Sequence, residues 1–334
     1  MVRGGEKDLW KSGEKTMILN TGSRTDIPAY YSDWFFNRIK EGYVLVRNPY
    51  NPVRVTKYLL SPEVVDVMVF CTKNPLPMLD RLSELSAFDM FWFVTITPYG
   101  KDIEPFVPDK EGILEAFVRL SKLVGPERIS WRYDPVFLTE KYSADYHIRQ
   151  FEKMAGRLKG HTRQCVVSFI DLYEKTRRNF PGVCSVSFSE QAYLTDAFAG
   201  IAAGTGLQIH LCCESERLIA ACREQTAKNV DATGCMSKEV LEAAIGCRLD
   251  VPKKKGARGE CNCLLGADIG AYNTCAHGCL YCYANYDRQS VLENRKNHDP
   301  ASPLLTGNLR AEDIVKEAEQ TSWKNGQMSI FDIV

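Results

Sequence analysis

Three cysteines within eight residues, Cys275, Cys279 and Cys282, stand at C-x-x-x-C-x-x-C spacing inside the stretch from Asp268 to Tyr286. On a loop too short to fold by itself, that spacing can turn three thiolates toward one small inorganic centre. A cubane of iron and sulfide suits it, and such clusters normally take four cysteines. Three leave one iron without a protein ligand, open to a small molecule. Gly278 permits a tight turn beside the centre, and Tyr281 is placed to cover it and keep water away. Zinc is the alternative. Its sites favour paired C-x-x-C or Cys/His sets with a closed fourth ligand, and His277 is at hand for that role.

A second group of cysteines asks the same question. Seven of the thirteen cysteines lie from residue 235 onward. In a long intracellular chain such a bias points to metal more than to disulfides. Cys261 and Cys263 supply two neighbouring thiolates, and Cys235 with either Cys212 or Cys213 would complete four, for a second iron–sulfur cluster or zinc. The other reading is a set of buried, inert thiols, since free cysteine packs as a small hydrophobe. Cys222 and Cys247 fit that second description.

Composition narrows the partners. Forty-two basic and forty-two acidic residues cancel over 334 positions, so no global field recruits nucleic acid or membrane. With 45% hydrophobic residues the chain can bury a full core. It has no apolar run of about 18 residues and no signal-peptide pattern at the N-terminus. A cytoplasmic protein with no membrane partner is expected.

The elements that must position the cysteines follow from periodicity. Residues 1–16 are polar and predicted to be disordered. Short apolar runs then recur at Met17–Leu19, Tyr43–Val46, Val65–Phe70, Phe91–Ile96, Ile129–Tyr133, Val166–Ile170 and Leu207–Leu211. Stretches of helical period separate them at 29–41, 76–86, 110–124, 143–158 and 190–203. Such alternation predicts a parallel sheet. Without a glycine-rich dinucleotide fingerprint after the first strand, it favours an α/β fold of TIM-like type, a full or partial (β/α) barrel. The barrel is assigned to 17–250, a cysteine-rich segment completing it to 251–300, and a helix at 311–321 with a tail to 301–334. The strand ends carry the polar residues, and in a barrel they share the face that holds the chemistry. Arg24, Asp26, Lys73, Asn74, Arg132 and Asp134 are the candidate catalytic residues, although such types are also ordinary turn residues. Lys253 to Gly259 reads as an exposed basic loop.

The C-x-x-x-C-x-x-C motif resembles that of the radical SAM enzymes. That likeness implies a [4Fe–4S] cluster on Cys275, Cys279 and Cys282 with Tyr281 as the adjacent aromatic. It also implies S-adenosylmethionine on the open iron and a reductant such as ferredoxin or flavodoxin. Over Met17 to Asn285 the chain also resembles the DUF1848 family. The likeness rests on Ser23–Pro28, Asn48–Pro52, Cys71–Pro75, Trp131–Pro135, Ser168–Asp171 and Asp268–Asn285. In ordinary radical SAM barrels the cysteine loop follows the first strand, whereas here every candidate strand precedes it. Circular permutation reconciles the two, with Ile269 to Asn273 as the strand that elsewhere comes first and a helix after Cys282. Arg24 and Asp26 would then fall where relatives bind the methionyl amine. The remaining alternatives are an iron–sulfur protein that transfers electrons without SAM and a zinc-containing binding module. Gln327-Met328-Ser329-Ile330-Phe331 is similar to the peptide by which DNA-repair proteins dock on the bacterial sliding clamp, which would make the substrate DNA-linked.

Overall fold

Residues two apart on a strand face the same way, and in this chain both faces of the central strands are apolar. A computed structural model describes residues 17–225, 229–231, 233–251, 263, 264 and 266–325. Its strands are β1 (Ile18–Asn20), β2 (Tyr43–Arg47), β3 (Arg54–Leu59), β4 (Val67–Thr72), β5 (Met90–Thr95), β6 (Ile129–Val136), β7 (Gln164–Phe169), β8 (Gln208–Leu211), β9 (Val230–Asp231), β10 (Ala267–Asp268) and β11 (Ile314–Glu317). The helices are α1 (Ile27–Tyr30), α2 (Ser32–Glu41), α3 (Leu76–Leu79), α4 (Lys110–Val124), α5 (Ala144–Leu158), α6 (Glu174–Asn179), α7 (Phe188–Thr205), α8 (Glu216–Gln225), α9 (Lys238–Ile245) and α10 (Arg288–Lys296).

Eight of these strands form one parallel sheet in the order β10-β1-β4-β5-β6-β7-β8-β9. Met68, Phe70, Trp92, Val94 and Trp131 point to the face covered by the helices, where they join the larger core. Val67, Val69, Phe91, Phe93 and Val166 point to the other face, against Leu241 and Ile245 of α9, Leu249 and Trp323. The fold is therefore α/β, as expected. The strand order ends at β10 and β9, and closure into a ring is not among the pairings of the described residues. Helix starts are fixed locally: Asp109 caps α4, Ser143 caps α5, and Ser187 with Glu190 forms a capping box on α7.

The chain's late strand does lie beside its first. Leu19 pairs with Ala267 and Asn20 with Asp268, in parallel. The strand comes two residues earlier than Ile269–Asn273, because the Asp268 carboxylate accepts the Gly270 N–H at 2.7 Å and bends the chain away. Helix α10 follows the cysteine loop, capped by Asp287.

Two expectations are corrected. The run Tyr43–Val46 is not in the parallel sheet; β2 pairs antiparallel with β3, and β11 joins β3 in a separate three-stranded sheet. Only Asn48 to Val53 separate β2 from β3, with the Asn48 side chain accepting from the Tyr50 and Asn51 N–H groups. A parallel crossover needs a dozen or more residues. The helix expected at 311–321 is also replaced, by strand β11. There β-branched Ile314 and Val315 suit an extended chain, β3 offers an open edge, and Arg47 forks onto Asp313 at the strand's start. This last segment straps the early one: Trp34 donates to Ser302 O at 2.9 Å, Arg38 to Ala301 O at 2.8 Å, and the Trp323 N–H to Asp66 at 2.7 Å. Residues 1–16, Lys253 to Gly259 and the Gln327–Phe331 peptide lie outside the described residues. No helix among the described residues is long and apolar enough to cross a membrane.

Gly266 leads into β10, and a Cβ there would stand 2.3 Å from the Ile18 carbonyl oxygen. The carbonyl belongs to the β1 backbone and cannot turn aside. Gly266→Ala should therefore destabilise the protein by about 1–3 kcal/mol, the usual cost of overpacking, read as a lower urea midpoint. An unchanged midpoint would contradict the close approach of β10 to β1.

Candidate functional site

Asp268 ends β10 and organises the turn that leads into the cysteine loop. One carboxylate oxygen accepts from the Ser23 N–H at 2.8 Å, the other from Gly270, and the Arg24 guanidinium lies 3.7 Å away. Arg24 is 2% exposed and donates to the Gly270 carbonyl. The cysteine loop then closes at its base. Asn273 takes a left-handed φ of 57°, donates its N–H to Ala284 O at 3.1 Å and accepts from the Tyr286 N–H. The Asn285 amide bonds the Cys275 carbonyl at 2.8 Å. From outside, the 103–106 segment clasps the loop: Phe106 donates to His277 O and Leu280 to Ile103 O. Gly278, at φ 68°, sits so close that a Cβ would stand 2.8 Å from the Phe106 ring.

Held this way, Cys275, Cys279 and Cys282 border a cavity of about 370 Å³ at the C-terminal edge of the parallel sheet. The period of two explains its other wall. Cys71, Thr95, Asp134, Ser168 and Cys212 lie near or just beyond their strand ends, Arg132 of β6 pairs with Thr95 at the end of β5, and all six reach the cavity. Cys213, Cys235 and Cys263 border it too. Burial, with the charges of Asp26 and the other two cysteines, pushes the Cys275 thiol well up; burial, against the pull of Lys73, pushes Cys279 up to about 12, and burial raises Cys282 as well. A shared cation relieves such a trio, because metal binding displaces its protons. The Ala284 N–H already points at the Cys282 sulfur, 3.3 Å away.

Cys212, Cys235 and Cys263 also form a group, their sulfurs all within 4.8 Å of one another, that could hold a metal. Cys213 Sγ is 3.8 Å from Cys212 Sγ. Cys261 lies outside the described residues, and so does the side chain of Cys222.

The polar candidates separate by position. Lys73, Arg132 and Asp134 reach the cavity, and Arg132 donates to Asp134. Asp26 also borders the cavity, with its oxygens engaged: Oδ1 caps α1 through Ala29, and Oδ2 meets the Lys73 N–H and His277 Nε2, both at 2.8 Å. The other ring nitrogen of His277 meets the Tyr30 hydroxyl at 2.9 Å. Both nitrogens of His277 are thereby occupied, which removes it as the fourth ligand of a zinc site. Asn74 is a turn residue: its N–H meets the Thr72 hydroxyl and its side chain accepts from Leu76. Arg24 lies behind the β10–β1 junction rather than on the cavity wall.

Sequence reasoning missed Glu104. It is 1% exposed and gathers Lys73 at 2.8 Å, Thr97 at 2.7 Å, Lys110 and the Tyr281 hydroxyl. Lys73 Nζ in turn lies 5.6 Å from the centre of the Tyr281 ring. The only signal for Glu104 was its acidic type, shared with Asp102 and Asp109 in the loop between β5 and α4. Burial alone would raise its pKa, but the charges and hydrogen bonds of Lys73 and Lys110 overcome that and hold it at about 2.

The family profile described as Domain of unknown function (DUF1848) matches residues 18–284. No curated protein matches the chain.

Glu104 is thus ionised at every ordinary pH, and its contribution to stability is complete above its usual 4.5 and lost as the pH falls toward about 2. Glu104→Gln should cost about 3–5 kcal/mol near neutrality, the range for removing one partner of a buried pair. It should also flatten the acid limb of a stability-against-pH curve measured by urea unfolding. A variant whose acid limb matches the wild type would remove Glu104 from the hub.

Proposed function

The chain belongs to the DUF1848 family, and from that starting point we propose that it is a radical SAM-type iron–sulfur enzyme built on a circularly permuted, partial (β/α) barrel. One observation carries this reading. The C-x-x-x-C-x-x-C loop follows a strand paired in parallel beside β1, so its three thiols stand over the cavity at the C-terminal edge of the sheet. That edge is where parallel α/β enzymes place their chemistry. The last strand of the parallel sheet in sequence thereby occupies the place that a first strand holds elsewhere.

The residues present fit a [4Fe–4S] cluster. Cys275, Cys279 and Cys282 are free thiols on one loop, with a backbone N–H directed at one sulfur. These three thiolates would hold the cluster, which would supply the electron for reductive cleavage of S-adenosylmethionine. The chain's own groups do the positioning. Glu104 holds Lys73 beside Cys279 and fixes the Tyr281 ring next to the loop. Asp26, through His277 and the Lys73 N–H, ties the loop to the end of β4. Arg24 and Asp26 are thus positioning groups, and contacts to a bound cosubstrate and substrate fall to Lys73, Arg132 and Asp134. An electron carrier needs no chamber of this size, so the cavity favours the enzyme over a non-SAM redox protein. A ferredoxin- or flavodoxin-type protein is the reductant this reading requires. The sliding-clamp tail adds no support, because it lies outside the described residues.

Anaerobically reconstituted, dithionite-reduced protein should convert S-adenosylmethionine to 5′-deoxyadenosine and methionine. Alanine at Cys275, Cys279 or Cys282 should abolish that conversion together with the reduced-cluster EPR signal. A protein with an intact cluster that neither cleaves S-adenosylmethionine nor changes its EPR spectrum when the compound is added would be an electron carrier instead.

A further inference from the structure

The second cysteine group has the spacing of a different centre. Sulfur separations are 3.5 Å from Cys235 to Cys212 and 3.5 Å from Cys235 to Cys263, with all three inside 4.8 Å. A tetrahedral ion with metal–sulfur bonds of about 2.3 Å holds its ligand sulfurs roughly 3.8 Å apart. In a cubane each cysteine sits on a different iron, and the cysteine sulfurs stand much farther from one another. Among the described residues only this trio is drawn together so tightly, and Cys275, Cys279 and Cys282 are not.

We propose that Cys212, Cys235 and Cys263 bind a single zinc ion on the cavity wall, in addition to the centre on the C-x-x-x-C-x-x-C loop. The three come from separate parts of the chain: just past β8, the loop before α9 and the approach to β10. Cys235 and Cys263 are 4% and 9% exposed. Convergence of three thiols from such distant positions in one buried place is not demanded by packing, for which any small apolar side chain would serve. Their surroundings suit thiolates. The Met236 N–H points at Cys263 Sγ from 3.4 Å, and the Leu264 N–H holds Met236 O at 2.9 Å, so the two ligand loops are pinned together. Three thiolates and a divalent ion leave one negative charge. Arg132, whose guanidinium lies over the Phe93 ring at 5.4 Å and pairs with Asp134, also lies close enough for its charge to reach Cys235 and Cys212. Cys213, at φ 60°, has its Sγ 3.8 Å from Cys212 Sγ and stays outside the tight trio. Zinc sites with three protein ligands keep their fourth position for water or a substrate, and all three ligands border the cavity. A Lewis-basic atom of the substrate is what that position would take.

This proposal is independent of the radical SAM reading, and its test separates them. In the variant with Cys275, Cys279 and Cys282 all changed to alanine, metal analysis should find one zinc per chain and no iron. Adding Cys235→Ser or Cys263→Ser to that background should lower zinc at least tenfold, whereas Cys213→Ser should retain it. Cobalt substitution should give the intense visible bands of a tetrahedral thiolate site, and added imidazole should shift them. Because a serine variant can misfold, the wild-type holoprotein supplies a second measure. Alkylation of Cys235 and Cys263, followed by mass spectrometry, should accelerate on adding a zinc chelator to the folded protein. Iron with matching sulfide in the triple variant, zinc loss on Cys213→Ser, or alkylation indifferent to chelator would each overturn the assignment.

Discussion

Two residues of β10 against two of β1 are few for a strand pair, yet the candidate site depends on that junction. Backbone hydrogen bonds alone contribute little net stability, and here side chains supply the rest. Asp268 collects the Ser23 and Gly270 N–H groups and lies beside the buried guanidinium of Arg24. Gly266 on one side and Gly22 on the other allow neighbouring backbones to come together, since a Cβ on either would meet the adjacent strand at 2.3 Å. With β10 so fixed, the turn at Gly270 and the left-handed Asn273 send the cysteine loop across the strand ends rather than away from them. The loop's own hydrogen bonds to the 103–106 segment keep it there.

Much of this was legible in the sequence because it is periodic. The helices expected at 110–124 and 143–158 begin and end within a residue of α4 and α5, as strong helical period and capping residues allow. Six of the seven apolar runs became strands of the parallel sheet. The seventh, Tyr43–Val46, has the same local pattern as the others and differs only in how soon the chain comes back, a fact of connection length rather than residue type. Strand β11 was missed for a related reason. Its exposed residues show no buried face, and only the open edge of β3 makes them a strand.

The site was legible where spacing in sequence carries the chemistry and opaque where the fold does. Cys275, Cys279 and Cys282 announce themselves within eight positions. Cys212, Cys235 and Cys263 span more than fifty, and which of the available cysteines would converge was not decided by order. Glu104 and the pairing of His277 with Asp26 were beyond reach, since each joins loops from different strand ends. Asp26 and Asn74 have the residue types of active sites, but capping and turn hydrogen bonds claim their polar atoms first, while Arg24 is buried beside Asp268.

The late position of β10 bears on how the protein is made. Chains fold as they emerge, N-terminal parts first, and contacts between residues far apart in sequence close last. Leu19 must wait for Ala267, and the strap from Ser302 to Trp323 that ties the end of the chain to Trp34, Arg38 and Asp66 comes later still. By then β4 to β8 can already have paired and their inward-facing side chains can be in place. The C-x-x-x-C-x-x-C loop is thus delivered to a nearly finished vessel, and the cluster proposed for it would be fitted as one of the closing acts of assembly rather than as the seed on which folding starts.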